Sequence, residues 1–265
     1  MPGVAEAFFT EDGDRLVPSE LTRGPWDPSS QHAGPPAAAI ARALELHPGG
    51  EGKQVGRVTF EILRPVPLAP LRVEVRTVRP GRSVELLEAL LSDAAGTELV
   101  RASSWRLVTG EVDLEGAATP GEPPAGPGRA EEKPFFPTGQ EVGYHTAMEY
   151  RFLSGGFLEM GPATVWMRMR VPLVAGEEPT PLQRVLVAAD SGNGVSAALD
   201  WRRFLFINTD LSVHLHRMPA GEWVCLDAVT RPEPNGVGLS DTALFDERGP
   251  IGHASQTLFV RARVT

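Results

Sequence analysis

The side-chain types of Asp190, Asn208 and Gln256 suit one kind of chemistry, the attack of a held water on a carbonyl. Asp190 closes an apolar stretch and is followed by Ser-Gly-Asn-Gly. A carboxylate in an enclosed site can accept a proton from a water molecule as that water attacks a carbonyl carbon. With an ordinary pKa of about 4, an aspartate is ionised and available for this at neutral pH. Asn208 and Gln256 offer neutral donors and acceptors, which fix a water without competing as bases. Glycines Gly34, Gly192 and Gly194 would let a carbonyl or an acyl chain approach the backbone closely, and free N–H groups at a helix start would stabilise an oxyanion. Simpler roles stand beside these: Asp190 also suits the end of a helix, and Gln256 a polar position on an edge strand.

Other residues carry weaker signals. His214-Leu-His216 puts two imidazoles on one strand face, but no third ligand stands at a telling distance, so no metal site is expected. Gly192-Asn-Gly194 lacks the strand and helix frame of a dinucleotide fingerprint. No Gly-x-Ser-x-Gly elbow occurs, which argues against that class of serine hydrolase. Cys225, the single cysteine, sits in a strand pattern with no base nearby and reads as a buried, inert thiol. No cofactor is implied.

These residues must be positioned by a fold that the sequence states twice. His32-Ala-Gly-Pro-Pro-Ala-Ala-Ala-Ile40 is answered by Asp190-Ser-Gly-Asn-Gly-Val-Ser-Ala-Ala198, and Leu71–Val78 by Glu222–Val229. Asp93-Ala-Ala-Gly96 is answered by Asp246-Glu-Arg-Gly249, and Ala102–Val108 by Ala254–Val260. Order is kept and spacing nearly so, as expected of two copies of one unit. In that correspondence His32 and Ser104 stand where the second copy has Asp190 and Gln256. A complete second site is therefore not expected, and His32 reads as a structural or pocket-lining histidine.

Each copy predicts a helix followed by strands. Ala37–Leu44 follows a Gly-Pro-Pro entry, and Leu182, Val185, Leu186 and Ala189 recur at helical spacing after Pro181. Val58, Phe60 and Ile62, then Leu71, Val73 and Val75, then Leu211, Val213 and Leu215, alternate with polar residues, as in antiparallel sheets with one covered face. The plan is α+β, with two curved antiparallel sheets each wrapping a central helix.

Residues 109–134, rich in Pro, Gly and Glu, read as a linker, dividing the chain into 1–108 and 135–265. The 42% apolar content supports a sizeable core, and no run is long enough to span a membrane. The first residues lack a secretory pattern, and with one cysteine this suggests a cytoplasmic protein. A net charge of −9 disfavours nucleic acid as a partner. It leaves room for a small anion held by local arginines such as Arg79, Arg82, Arg202, Arg203, Arg217 or Arg231.

Three stretches of the second half, Ala189-Asp190, Asn208-Thr-Asp-Leu-Ser-Val-His-Leu-His-Arg217 and Gly252-His-Ala-Ser-Gln-Thr-Leu258, resemble the double-hotdog acyl-CoA thioesterases of the thioesterase II type. Gly24-Pro-Trp-Asp27 and His32-Ala-Gly-Pro-Pro-Ala-Ala38 of the first half do the same. The resemblance implies a tandem hotdog fold. It also implies a water held by an aspartate, a hydroxyl and a glutamine for attack on a thioester. Asp190 takes the aspartate position and Gln256 the glutamine position. Asn208 falls at the hydroxyl position, and its neighbour Thr209 should point to the opposite face. His32, Gly34, Gly192 and Gly194 would line the substrate site, and a homodimer or larger homo-oligomer is expected. A binding protein that holds an acyl-CoA without hydrolysing it is the alternative, motivated by the amide where a hydroxyl is usual. An enoyl-CoA hydratase is disfavoured, because no histidine follows Asp190 at the required spacing.

Overall fold

The computed structural model describes residues 6–115 and 121–263. The first five residues and part of the Pro/Gly-rich linker, 116–120, lie outside the described residues. The first half contains strands β1 (Phe9–Asp12) and β2 (Arg15–Pro18), helix α1 (Gly34–Leu46), then β3 (Lys53–Ile62), β4 (Leu71–Arg79), β5 (Val84–Asp93) and β6 (Glu98–Val108). The second half repeats the plan. A short helix α2 (Tyr144–Ala147) leads into β7 (Met148–Ser154) and β8 (Ala163–Met169). Helices α3 (Pro181–Ala189) and α4 (Gly192–Val195) follow, then β9 (Phe204–Asn208), β10 (Asp210–Leu215), β11 (Val224–Pro232), β12 (Val237–Asp246) and β13 (Gly249–Ala262).

Strand order is β1-β2-β4-β5-β6-β3-β10-β13-β12-β11-β8-β7, with β9 also on β13. The two sheets are joined edge to edge at β3 and β10, where Phe60 faces Leu211 and Val58 faces Val213. These four alternating residues are buried, so the join puts both edges under one core and leaves neither unpaired. The α+β plan of two antiparallel sheets, each wrapping a helix, is present as expected.

The central helices form where the sequence favours them. Pro35 and Pro36 occupy the first turn of α1, where a missing N–H costs nothing. The alanines after them are strong helix formers. Thr180 caps α3 by accepting from the Gln183 N–H at 3.2 Å, and Gln183 Oε1 accepts from the Thr180 N–H, a reciprocal capping box. The helices run antiparallel. Gly34 at the start of α1 abuts Val187 near the end of α3, while Glu45 near the end of α1 accepts from Thr180 Oγ1 at 2.8 Å. A Cβ on Gly34 would stand 2.4 Å from the Val187 carbonyl oxygen, so the close approach requires glycine.

The second helix is broken, which the sequence pattern did not predict. Asp190 keeps helical dihedrals as the C-cap that follows α3, and the chain resumes as α4. The turns Asp93–Gly96 and Asp246–Gly249 both join the last two strands of their copies, as expected. Asp93 lies at an exposed tip and accepts from the Ala95 and Thr97 N–H groups. Asp246 is fully buried and also takes both Arg217 Nη atoms at 2.5 Å. Among the described residues no helix is long and apolar enough to cross a membrane.

Candidate active site

The antiparallel packing of α1 and α3 brings His32, just before one helix, to Asp190, at the end of the other. His32 is therefore a partner of Asp190 within one site and not its counterpart in a second. His32 Nδ1 lies 3.1 Å from Asp190 Oδ2. The other carboxylate oxygen, Oδ1, accepts from Asn208 Nδ2 at 2.8 Å and from Gln256 Nε2 at 3.2 Å. Gln256 Nε2 also reaches the Asp190 carbonyl at 3.2 Å, and its Oε1 accepts from the Asn193 backbone N–H at 3.1 Å. All four side chains are brought together, with Asp190 and Gln256 buried.

The strands explain this convergence. Asn208 ends β9, opposite Leu258 on β13, and Gln256 lies two residues earlier on β13, so both face the helix break. Thr209 lies between β9 and β10, is exposed, and donates to Asp210 Oδ1 at 3.2 Å. Asn208 and not Thr209 therefore meets the carboxylate, as strand alternation requires.

Burial holds the His32 pKa below its ordinary value, and the Asp190 carboxylate only partly offsets this. The imidazole is thus neutral at neutral pH. Its ring stacks on Tyr144, with centroids 3.7 Å apart and planes 10° apart. The Tyr144 hydroxyl donates to the Val187 carbonyl at 2.6 Å and lies 3.0 Å from Ser191 Oγ. Tyr144 thereby ties the histidine plane to the end of α3. Burial raises its pKa far above the usual phenol value, so it serves as a neutral donor.

These groups stand on the wall of a cavity of about 520 Å³. Gly194 lines it with open space around its Cα. Gly34 and Gly192, expected beside the substrate, are not on the cavity wall. Each is a contact glycine: Gly34 against α3, and Gly192 against β12, where a Cβ would come 2.5 Å from Thr242 Oγ1. Exposed Arg64 and Arg263 stand at the mouth, and neither was singled out from the sequence. Of the arginines that were, Arg217 is taken by Asp246. His214 and His216 are both exposed.

The first half has a different arrangement at the matching place. There β6 sends Arg106, not Ser104, to the end of its helix. Arg106 donates to the carbonyls of Leu44, His47 and Pro48 at 3.3, 2.8 and 2.9 Å and is clamped by Glu85 at 2.6 Å. Burial works against the charge on Glu85, but Arg106 and Lys53 outweigh it and hold the carboxyl below its usual range. Ser104 is buried, with its hydroxyl unpartnered.

No curated protein matches the chain. The fold is shared with a candidate thioesterase II from Thermobifida fusca (14% identity, 96% of this chain and 94% of that one, TM-score 0.74). It is also shared with a hot dog protein of unknown function from Alicyclobacillus acidocaldarius (16%, 97% and 96%, 0.73). A third relative in fold is acyl-CoA thioesterase II TesB2 from Mycobacterium marinum (15%, 95% and 94%, 0.63). At the level of sequence families, residues 22–107 match the acyl-CoA thioesterase N-terminal domain and residues 120–260 the C-terminal domain. Both repeats are thus accounted for in order, and the chain belongs to the acyl-CoA thioesterase family.

Proposed function

We propose that the protein hydrolyses an acyl-CoA thioester to a free acid and CoA, with Asp190 as the base that activates water. The supporting observation is the convergence of two amide donors on one oxygen of Asp190 at the wall of an apolar cavity. This fixes the carboxylate plane, and Oδ2, which His32 Nδ1 approaches at 3.1 Å from one side, keeps a second lone pair for the reacting water. Water oxygen bonds to the thioester carbonyl carbon while its proton passes to Asp190. The tetrahedral intermediate then collapses, the C–S bond breaks, and the departing sulfur takes the proton as CoA thiol. Asn208 substitutes an amide donor for the family's hydroxyl, and both deliver a hydrogen bond to the carboxylate. Gln256, itself held by the Asn193 N–H, supplies the second.

Free-thiol release from a panel of short to long acyl-CoAs, with wild type and Asp190→Asn, tests this reading. Loss of a general base costs about 10²- to 10⁴-fold. Unchanged turnover in folded Asp190→Asn protein sinks the assignment.

A second reading, binding of acyl-CoA without hydrolysis, is favoured by one contact. His32 already takes one side of Asp190 Oδ2, the oxygen the water needs. Saturable acyl-CoA binding with no thiol release from any member of the panel would support it.

A further inference from the structure

The cavity walls carry a feature that the hydrolytic groups do not explain: half of the chain's Phe, Trp and Tyr residues line it, including both tyrosines. They arrive from separate parts of the chain. Trp26 sits on the loop before α1, Phe136 follows the linker, and Trp201 and Phe206 flank the start of β9. Trp26 stacks on Phe136 at 5.0 Å and 19°, meets Phe206 edge-on at 6.2 Å and 80°, and lies 6.3 Å from Trp201. Phe136 packs on Trp201 at 5.4 Å.

The Trp26 loop is rigidly built. Asp27 accepts from the Ser29 N–H and from the hydroxyls of Ser29 and Ser30, and the Gly24 N–H reaches the Ser30 carbonyl at 2.9 Å. Trp26 is nevertheless 51% exposed. A tryptophan held this firmly, with one face stacked on Phe136, offers its free surface to whatever enters the cavity.

We infer that the acyl group accepted here is a planar aromatic one, seated among Trp26, Phe136, Trp201 and Phe206 with its thioester toward Asp190. This rests on the hydrolytic reading above and names its substrate class. Aromatic rings attract one another in offset and edge-to-face arrangements beyond simple area burial, and this wall offers both faces and edges. A planar ring also has few rotors to freeze, whereas a saturated chain loses conformational freedom on being ordered. Size agrees: an apolar cavity of about 150 Å³ holds a benzene ring. The 520 Å³ here accommodates such a ring, the thioester and the first part of the CoA arm.

The test uses carbon-matched pairs. Phenylacetyl-CoA should exceed octanoyl-CoA in kcat/KM by about tenfold or more, the scale of one good aromatic contact. Cinnamoyl-CoA should similarly exceed nonanoyl-CoA. The ratio should fall toward one in Trp26→Leu and recover in Trp26→Phe. Equal or faster turnover of the saturated partners, or a ratio unmoved by Trp26→Leu, overturns the inference while leaving hydrolysis intact. If no thioester is turned over, the hydrolytic reading fails instead, and calorimetry with the thioethers S-phenethyl-CoA and S-octyl-CoA decides selectivity alone. Tighter binding of the phenethyl compound supports the aromatic site; equal affinity or no binding of either overturns it.

Discussion

His32 Nδ1 stands between two groups, 3.1 Å from Asp190 Oδ2 and 3.1 Å from the Gly34 N–H. A neutral imidazole nitrogen cannot donate to the carboxylate and accept from the amide at once. The charge-assisted bond to the carboxylate is the stronger of the two, which puts the proton on Nδ1 and leaves Nε2 bare. The pair thus has a definite polarity, and its protonation state should control the site.

Activity should fall in acid with a limb below pH 6.5. Burial lowers the His32 pKa against the pull of Asp190, so His32 becomes charged only below the ordinary imidazole value. The added positive charge then tightens the existing Nδ1 bond to Oδ2 and draws that oxygen away from water. A pH–rate profile of His32→Asn should lack this limb and show kcat reduced about 10- to 100-fold, the scale of a hydrogen bond to a charged group. A variant profile superimposable on the wild type would count against the pair.

Asn208→Leu removes the 2.8 Å donor to Asp190 Oδ1 and should cost about 10- to 100-fold in kcat/KM. Asn208→Thr restores a donor of the family's type and should recover most of that loss. Equal impairment in both variants would mean that the amide is needed for its shape.

Gly192→Ala should destabilise the fold by about 1–3 kcal/mol, the usual cost of overpacking, because the new methyl meets Thr242 Oγ1 at 2.5 Å. Adding Thr242→Ala should return part of the loss. Urea unfolding of the two single variants and the double variant gives the coupling directly.

Asp246 contributes stability that acid removes. Burial alone would raise its pKa, but the bonds from Arg217 and from the Ala220 and Arg248 N–H groups overcome this and bring it to about 2. A carboxyl depressed on folding stabilises fully above its unfolded pKa, about 3.9, and loses that contribution as pH falls toward 2. One such group contributes a slope of at most about 1.4 kcal/mol per pH unit. Asp246→Asn should be less stable at neutral pH and should show a shallower decline between pH 4 and 2.

Arg64 and Arg263, exposed at the cavity mouth, suit the phosphates of CoA. Arg64→Gln and Arg263→Gln should raise KM with little change in kcat, and the effect should shrink as salt screens exposed charges. A salt-independent effect would point to packing.

The sequence was most legible where a side chain's direction follows from local geometry. Alternation in β3 and β10 identified Phe60, Val58, Leu211 and Val213 as core residues, and the same rule placed Asn208 and not Thr209 toward Asp190. Spacing could not show that α1 and α3 pack antiparallel, so His32 was aligned with Asp190 when the two in fact touch. Tyr144 and the aromatic wall went unseen because they come from segments with no shared period. Nor does composition distinguish a glycine that lines an open cavity, such as Gly194, from one that admits a neighbouring helix or strand, such as Gly34 or Gly192.

The contrast between Arg106 and Gln256 bears on why two copies share one chain. In a symmetric pair of identical subunits every substitution occurs twice, so neither site can change without the other. Covalent fusion lifts that constraint. At the end of its helix, one copy could adopt a buried ion pair that fastens three carbonyls, while the other kept a neutral amide beside the Asp190 carboxylate. Each copy thereby holds its helix end differently, one with an ion pair from β6 and the other with a neutral amide from β13, a division of labour that two identical subunits cannot have.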